Sequence, residues 1–315
     1  MEFKALLEDD NLNAAANYIK DHPEIVNTDL SEDGSNITPL MIAAAEGDLP
    51  LVTALLSHGA LYSSRATNGS FPLSLAVYNG HADVVSALLD AGEKPDTDLS
   101  DDDSYTTSLI IAASYGNLPM VTTLLSHGAL PSSRDKDGSF PLYMAAYNFS
   151  AAVVSALLDA GADPNTGTQK GTALQAAVVQ SALPVVKLLI AKGADVNKKS
   201  PKNGSTPLAD ACLNSRDDDK DSFNVIKTLL EAGADPNEPI SNRETPLMRL
   251  VYLNRPNSVK LLIQHGADVT KQVLNFATTD GMKEILREAG AVGGARRQRQ
   301  SRKQRKQSKQ SRRRK

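Results

Sequence analysis

Two stretches of the chain, 69 residues apart, are nearly identical. The first, "LLSHGALYSSRATNGSFPL", begins at Leu55, and the second, "LLSHGALPSSRDKDGSFPL", begins at Leu124. Residues 55–91 and 124–160 agree at 27 of 37 positions. A compact domain would rarely absorb such a copy. An array of stacked units absorbs it readily, because each unit contacts only its neighbours.

The duplicated block belongs to a longer rhythm. A triplet similar to Thr-Pro-Leu opens each unit, and a glycine after an apolar run closes it. The triplets begin at Thr38, Phe71, Thr107, Phe140, Thr172, Thr206 and Thr245, and the glycines are Gly59, Gly92, Gly128, Gly161, Gly193, Gly233, Gly266 and Gly290. Triplet and glycine lie 21 residues apart in six units, and 27 apart between Thr206 and Gly233. This spacing predicts seven full copies of one structural unit.

Each unit reads as two helices joined by a turn. Proline in the triplet suits the first turn of a helix, where its missing N–H costs nothing. An alanine-rich segment such as "MIAAAEG" then predicts a short first helix. In the second helix apolar residues recur at helical spacing, as at Val84, Val85 and Leu88. The closing glycine is placed to adopt the left-handed conformation beyond the helix end.

This pattern of triplet, two helices and closing glycine resembles the ankyrin repeat, with "GSTPLADAC", "LLEAGADPN" and "LIAKGADVN" as the best matches. The resemblance covers about residues 34–291. It implies an all-α, ankyrin-type helix-turn-helix solenoid with β-turn fingers. One departure concerns the histidine that the family places after the triplet leucine, since this chain has Met41, Ser74, Ile110, Tyr143, Gln175, Ala209 and Met248 there. We therefore expect the array to lack the turn bonds of that histidine and to be of modest stability.

Four segments follow from this frame. Residues 1–33 are predicted to form an N-terminal helical cap, and residues 34–270 the seven ankyrin-like repeats. Residues 271–291 are predicted to form a shortened C-terminal cap repeat, and residues 292–315 a disordered basic tail. Caps are expected because a stacked array otherwise ends in exposed core.

The family resemblance implies a concave binding face lined by the first helices and the turn tips. Four of the eight tyrosines fall just before the turn between helices, and tyrosine is a contact residue of low entropy cost. The predicted partner-binding residues are Tyr78, Asn79, Tyr115, Tyr147, Asn148, Asn214 and Tyr252. The alternative is that these rings cover the groove between adjacent helices. The predicted turn-tip contacts are Asn68, Ser70, Lys136, Asp137, Ser139, Lys202 and Asn203.

Residues capable of catalysis or metal binding form no recognisable constellation. Cys212 falls in a small-residue slot of a first helix, so we expect it to be buried packing. His58, His127 and His265 all precede closing glycines, where histidine bonds the last carbonyls of a helix. The acidic runs 101–103 and 217–221 lack the ligand spacing of a calcium loop and are read as solvated loops. No metal site, cofactor or enzymatic activity is expected.

The overall net charge of −3 conceals a strong division. Residues 296–315 hold 12 basic residues and no acidic one: Arg296, Arg297, Arg299, Arg302, Lys303, Arg305, Lys306, Lys309, Arg312, Arg313, Arg314 and Lys315. Residues 1–295 therefore carry 22 basic and 37 acidic residues, a net charge of −15. Four readings of the tail stay open: a nuclear import signal, an electrostatic binder of RNA or DNA phosphates, a segment that docks on the acidic body, and a solvating extension.

The sequence predicts a non-enzymatic adaptor or scaffold that binds another protein through the concave face, while the tail provides localisation or a second contact. One alternative is a nucleic-acid-associated protein whose tail binds phosphates. Another is a bacterial effector that acts on a host protein. The longest apolar runs fall short of the ~18 residues of a membrane span, and the N-terminus lacks a signal-peptide layout. We expect no membrane contact and a location in the cytoplasm, the nucleus or both.

Overall fold

A computed structural model of the chain describes residues 3, 6, 12–99, 105–215, 220–240 and 244–290. Within them lie seven helix pairs, which we number repeats 1 to 7 in chain order. The first helices span Pro39–Glu46, Pro72–Asn79, Ser108–Ser114, Pro141–Tyr147, Ala173–Val179, Pro207–Leu213 and Pro246–Tyr252. The second helices span Leu49–Ser57, Ala82–Asp90, Leu118–Ser126, Ala151–Asp159, Leu183–Ala191, Lys220–Glu231 and Pro256–Gln264. The all-α solenoid expected from the sequence is confirmed.

Further helices flank the repeats, and two short strands lie at one turn tip. A helix at Leu12–Asp21 and a 3-10 helix at Pro23–Asn27 precede repeat 1. A short helix at Lys271–Asn275 follows repeat 7, and residues 280–290 are again helical. The strands Gly167–Thr168 and Gly171–Thr172 pair antiparallel at the tip before repeat 5. None of the helices within the described ranges is long and apolar enough to cross a lipid bilayer.

The opening triplets set the helix starts. The first triplet residue is the N-cap of the first helix in all seven repeats. In repeat 1 the Thr38 hydroxyl accepts from the N–H of Met41 at 3.3 Å, and the threonines of repeats 5, 6 and 7 accept in the same way. Such a cap contributes about 1 kcal/mol, because it pairs an N–H that has no partner inside the helix. The local sequence thus dictates where each repeat begins.

The closing glycines behave as predicted at seven of eight positions. From Gly59 to Gly266 they have φ between 84° and 111°, which places them in the left-handed region. The prediction is wrong at Gly290. Gly290 is itself helical and is not among the glycines with positive φ, so it does not take the left-handed conformation.

The core is a continuous aliphatic strip along the array. The leucine of each triplet is at most 1% exposed, from Leu40 in repeat 1 to Leu247 in repeat 7. Each first helix packs against the first helices of adjacent repeats, and the second helices pack likewise. Burial of one leucine side chain contributes about 1.5–3 kcal/mol. Stability is therefore distributed over the junctions between neighbouring repeats rather than concentrated in one centre.

An asparagine four residues after the closing glycine joins several repeats to the next. In Asn197 the Nδ2 donates to the carbonyl of Gly233 at 3.1 Å, and the Oδ1 accepts from the N–H of Asp235 at 2.9 Å. Asn165 and Asn237 make the same two bonds across their junctions. Asn27 of the N-terminal cap, which follows no closing glycine, makes them to the end of repeat 1. We call this arrangement the asparagine bridge.

The bridge is reduced or missing at three other junctions. Asp96 has no side-chain N–H, and it only accepts from the N–H of Leu130, at 3.1 Å. Ser63 and Ser132 occupy the same position in the duplicated stretches. Within the described part of the chain, neither serine side chain bonds to the next repeat. Junctions of the same fold are therefore held by different side-chain chemistry.

The expectation that the array lacks the bonds of the family's histidine is wrong at Ser74, whose Oγ accepts from the N–H of Phe71 at 3.0 Å, and at Gln175. Its Oε1 accepts from the N–H of Thr172 at 3.1 Å. Its Nε2 donates to the carbonyl of Ser205 at 3.0 Å and to the Oδ2 of Asp210 at 2.8 Å. An amide carries both a donor and an acceptor, so it ties repeat 5 to repeat 6 as an imidazole would. Burial raises the pKa of the Asp210 carboxyl, and the hydrogen bonds from Ser205 and Gln175 oppose that rise.

Candidate functional site

A row of large apolar side chains lies open to solvent at the C-terminal ends of the first helices. It crosses six successive repeats and consists of Tyr78, Tyr115, Tyr147, Val179, Leu213 and Tyr252. The four tyrosines are 44–66% exposed. We call this set the exposed row. A contiguous line of exposed apolar residues on a folded protein commonly marks an interaction surface.

The repeat frame brings these side chains into line. Five of the six lie seven residues after the N-cap of their first helix, about two turns along it. Tyr115 lies one residue later, at the C-cap of the shorter helix Ser108–Ser114. Because the repeats stack in parallel, equal positions in successive repeats become neighbours in space. Of the predicted partner-binding residues, all four tyrosines belong to this row, three of them in the consecutive repeats 2 to 4.

The three predicted asparagines are exposed, and each also has a structural bond. The Nδ2 of Asn79 donates to the carbonyl of Ala45 in the preceding repeat at 3.1 Å. In Asn148 and Asn214 the Nδ2 donates to the carbonyl four residues earlier, at 3.2 and 2.8 Å. The carbonyls of Met144 and Asp210 also accept from the backbone N–H of the same asparagines, so each of these two asparagines closes the end of its helix with two bonds. The role of the asparagines as contact residues stays a prediction.

Sequence reasoning missed Phe149, which is 58% exposed beside Tyr147. Its φ is 57°, in the left-handed region, where the first copy of the duplicated block has Gly80 at φ 83°. A bulky residue there costs on the order of 1–2 kcal/mol. Comparison of the two copies was the available signal, because it shows a glycine replaced by an aromatic residue. Repeat 4 therefore presents two exposed rings at one turn.

Tyr147 also has a packing role within its own helix. Its ring stacks on Tyr143 with centroids 6.4 Å apart and planes inclined by 13°. Tyr143 is 8% exposed, and burial raises the pKa of its phenol. One face of Tyr147 is thus fixed by a neighbour, and the side chain remains 44% exposed. A preoriented ring loses little entropy when a partner binds.

The turn tips are open at most of the predicted positions. Asn68, Lys136, Asp137, Lys202 and Asn203 are exposed, and Ser70 is half-buried. The prediction of Ser139 as a tip contact is wrong, because it is 6% exposed. It is drawn inward since its N–H donates to the Oδ1 of Asp135 at 2.7 Å and its carbonyl accepts from the N–H of Asp135 at 3.1 Å.

The duplicated tips share an arginine stacked on a buried phenylalanine. The guanidinium of Arg65 lies 4.1 Å from the ring centroid of Phe71, and that of Arg134 lies 5.3 Å from Phe140. Each arginine also donates to a glycine carbonyl of its own turn, at 3.1 and 3.0 Å. Arg134 reaches the carbonyl of Gly167 in the next tip as well, at 3.3 Å. These arginines stabilise the tips.

Cys212, His58 and His127 have the structural roles predicted for them, whereas among the described residues no side-chain bond to a carbonyl is seen for His265. Cys212 is fully buried, and burial raises the pKa of its thiol far above the usual range. The Nδ1 atoms of His58 and His127 bond the carbonyls of Ala54 and Thr123, each at 2.8 Å. Among the described residues there is no group of three His, Cys, Asp or Glu side chains that could hold a metal ion.

Several predictions from the sequence fall on residues outside the described ranges. They are the acidic run 101–103, the acidic residues 217–219 and the whole basic tail with its residues 296–315. The exposed row and the turn tips are therefore the candidate site that the structure defines.

A family model for ankyrin repeats matches residues 8–101, 93–168, 142–239 and 200–273. These segments overlap and together extend over residues 8–273, well over half of the chain. They include all seven helix pairs and the entire exposed row.

Individual proteins show the same relationship. The ankyrin repeat and KH domain-containing protein mask-1 of Caenorhabditis elegans is 34% identical over 227 residues, 68% of this chain and 8% of that protein. The transient receptor potential cation channel subfamily A member 1 of Homo sapiens is 27% identical over 271 residues, 74% of this chain and 24% of that protein. The B-cell lymphoma 3 protein homolog of Mus musculus is 27% identical over 207 residues, 64% and 45% respectively. The chain matches less than half the length of each relative.

A solved structure resembles this protein at the level of the fold. The ankyrin repeat domain of Bcl-3, described as a unique member of the IkappaB protein family, superimposes with a TM-score of 0.62 and 28% sequence identity. The match covers 72% of this chain and 99% of that domain.

Proposed function

The chain belongs to the ankyrin repeat family, whose repeats are modules of protein–protein interaction, and we propose that it is an adaptor or scaffold that binds a partner protein through the exposed row. Domains of this family are typically not enzymes. The observation that carries the proposal is one large apolar side chain, 37–66% exposed, at the same end of the first helix in six successive repeats.

The chemistry of the row supports a protein partner. Tyrosine offers a broad apolar ring and a hydroxyl, so it binds apolar and polar protein surfaces at low entropy cost. The exposed asparagines beside Tyr78 and Tyr147 supply a polar rim. The turn tips extend the surface, since Asn68, Lys136 and Lys202 are exposed in different repeats.

The test replaces Tyr78, Tyr115, Tyr147 and Tyr252 together by alanine. Removal of aromatic contacts at the centre of an interface commonly costs above ~2 kcal/mol each, so partner capture should be lost. Quantitative pull-down with the full chain, followed by identification of the bound proteins, measures this. Helix content by circular dichroism should stay unchanged, because all four side chains are at least 44% exposed.

A matched control removes exposed leucines elsewhere. Leu61 and Leu130 are 57% and 56% exposed and follow closing glycines, away from the row. Their joint replacement by alanine should leave capture intact. Native partner affinity in the tyrosine variant would show that the face is wrongly assigned.

The basic tail supports a second proposal, that residues 296–315 direct the protein to the nucleus of a eukaryotic cell. Twelve basic residues in twenty form clusters such as "RKQRK" and "RRRK", which suit nuclear import. A fluorescent fusion of residues 290–315 should accumulate in the nucleus. A matched fusion with the arginines and lysines replaced by glutamine should not. A distribution equal to that of the fluorophore alone would contradict the proposal.

A further inference from the structure

Charge is unevenly distributed along the array. Residues 1–161, up to the closing glycine of repeat 4, hold 22 acidic and 6 basic residues, a net charge of −16. Residues 162–295 hold 15 acidic and 16 basic residues, a net charge of +1. The described ranges 12–99 and 105–161 alone contain 15 acidic and 5 basic residues. Of the 22 acidic and 6 basic residues in 1–161, residues 34–161, which span repeats 1 to 4, hold 13 and 4, and the N-terminal cap holds the rest. The negative charge therefore lies in the cap and in repeats 1 to 4, and the half adjacent to the tail is nearly neutral.

The acidic half also carries most of the exposed tyrosines. Tyr78, Tyr115 and Tyr147 lie in repeats 2, 3 and 4, and Tyr105, 58% exposed, precedes repeat 3. The face of a tyrosine ring attracts a guanidinium group, which can stack on it while keeping its hydrogen bonds to carboxylates. Acidic charge and open aromatic faces together favour an arginine-rich ligand.

The chain itself contains a segment of this chemistry. Residues 296–315 consist of eight arginines, four lysines, five glutamines and three serines. No apolar side chain is present to fill a hydrophobic pocket. Arginine stacking on tyrosine and pairing with acidic residues are the contacts open to such a segment.

The span of the segment determines whether it more readily reaches the acidic half of its own molecule or that of a second molecule. Neighbouring helices pack at about 8–10 Å, so repeats 5, 6 and 7 place repeat 4 roughly 40 Å from the final helix. By random-coil scaling, about 25 residues correspond to an r.m.s. span of about 25–30 Å. The segment thus reaches the neutral half of its own molecule more readily than the acidic half.

From these observations we infer that residues 296–315 of one copy bind the exposed tyrosines and the acidic side chains of repeats 1 to 4 of a second copy. The inference rests on the proposed function, since it names an occupant for the same exposed tyrosines. The contact joins two different surfaces, so a pair of copies held by one contact leaves one tail and one tyrosine surface free. Association therefore continues beyond the dimer as concentration rises. It weakens with salt, because screening acts within ~8 Å at physiological ionic strength.

Sedimentation velocity of the full, nuclease-treated chain over a concentration series at low and high salt tests this. At low salt the mean sedimentation coefficient should increase with concentration without a plateau at the dimer, and at high salt it should stay monomeric. Three variants that remove negative charge from repeats 1 to 4, Glu46→Gln, Asp83→Asn and Asp137→Asn, should together weaken association about tenfold, since exposed pairs contribute about 0.2–1 kcal/mol each. The matched set Glu231→Gln, Glu284→Gln and Glu288→Gln makes the same charge change near the tail and should have little effect.

A second pair of variants separates this inference from the proposed function. Tyr78, Tyr115 and Tyr147 changed to leucine keep apolar area but lose the ring faces, and self-association should fall about tenfold, from about 0.5–1 kcal/mol per exposed cation–π contact. The same three residues changed to phenylalanine should associate as the native chain does. Capture of an apolar partner should survive both changes, so loss of self-association with retained capture isolates the arginine contacts.

Three results would overturn the inference. One is a monomer at every concentration at low salt. Another is an equal response to the two sets of charge variants. The third is association that disappears on nuclease treatment, which would assign the basic segment to nucleic acid.

Discussion

The junctions inside the duplicated stretches and the junctions of the C-terminal repeats solve the same packing problem differently. Between repeats 1 and 2, and again between repeats 3 and 4, a buried phenylalanine lies beneath an arginine, and the bridging position is a serine. From repeat 4 onward, Asn165, Asn197 and Asn237 connect each repeat to the next by two hydrogen bonds. One kind of junction depends on apolar burial, and the other adds polar bonds at the surface.

The difference shows what a copied block carries with it. Contacts made entirely within the block, such as Arg65 on Phe71, recur 69 residues later as Arg134 on Phe140. Contacts at the edges of the block meet new neighbours and differ. Asp90 faces His127, for example, whereas Asp159 in the second copy faces Lys192. A solenoid therefore keeps its internal junctions when it is extended and has to accommodate only the new boundary.

The largest expected loss of stability at the duplicated junctions is that caused by Phe140→Ala. Phe140 is 3% exposed and contacts Arg134 and Tyr143, so its truncation should cost about 3–5 kcal/mol in the free energy of unfolding. Urea unfolding followed by circular dichroism measures the loss. Phe71→Ala should cost a similar amount, because it is 1% exposed in the same setting. A loss below ~1 kcal/mol in both would mean that these junctions do not depend on the ring.

Asn197→Ala should have a smaller effect on the other kind of junction. It removes two bonds between repeats 5 and 6 at an exposed site, and about 1–2 kcal/mol of stability should be lost. The same urea measurement applies. Ser132→Ala, at the equivalent position of a duplicated junction, should change stability little, since Ser132 makes no bond across it among the described contacts. Equal losses in the two variants would erase the distinction between the junctions.

The smallest expected effect is a pH dependence of the free energy of unfolding, which arises from a contact at the boundary between the two copies. The carbonyl of Thr123 raises the pKa of His127 above its usual value, and Asp90 adds to the rise with an Oδ1 at 3.2 Å from Nε2. A pKa that is higher in the folded state stabilises the fold below the unfolded value near 6.5, and this contribution disappears as the pH rises through the folded value. Unfolding measured from about pH 5 to 8 should show this slope. The variant His127→Gln should show a weaker dependence of the unfolding free energy on pH. An unchanged dependence would show that His127 is not its source.

Much of the fold could be predicted because its signals are local. A threonine followed by proline caps and starts a helix without help from distant residues, and a glycine after a helix ends it. Gly290 departs from this because it is itself helical. The interaction of Gln175 with Ser205 and Asp210 joins residues 30 and 35 positions apart, and helical periodicity carries no information about such a contact.

The candidate site was predicted less completely. The tyrosines were recognisable because the repeat frame gives them equal positions. The burial of Ser139 depends on the conformation of one turn, and Phe149 depends on a backbone angle that phenylalanine rarely adopts. The asparagine bridges had a visible signal, since asparagine recurs four residues after Gly161, Gly193 and Gly233. Composition alone marked these segments only as turns.

The burial of Cys212 makes it a natural reporter of motion in the array. It is the single thiol of the chain, and it lies fully covered in the first helix of repeat 6. A thiol reagent in solution can modify it only while repeat 6 is transiently open, and the raised pKa keeps it unreactive otherwise. The labelling rate of the unmodified protein therefore counts those openings directly. A lower labelling rate in the presence of a ligand would show that binding at a distant repeat reduces the opening of repeat 6.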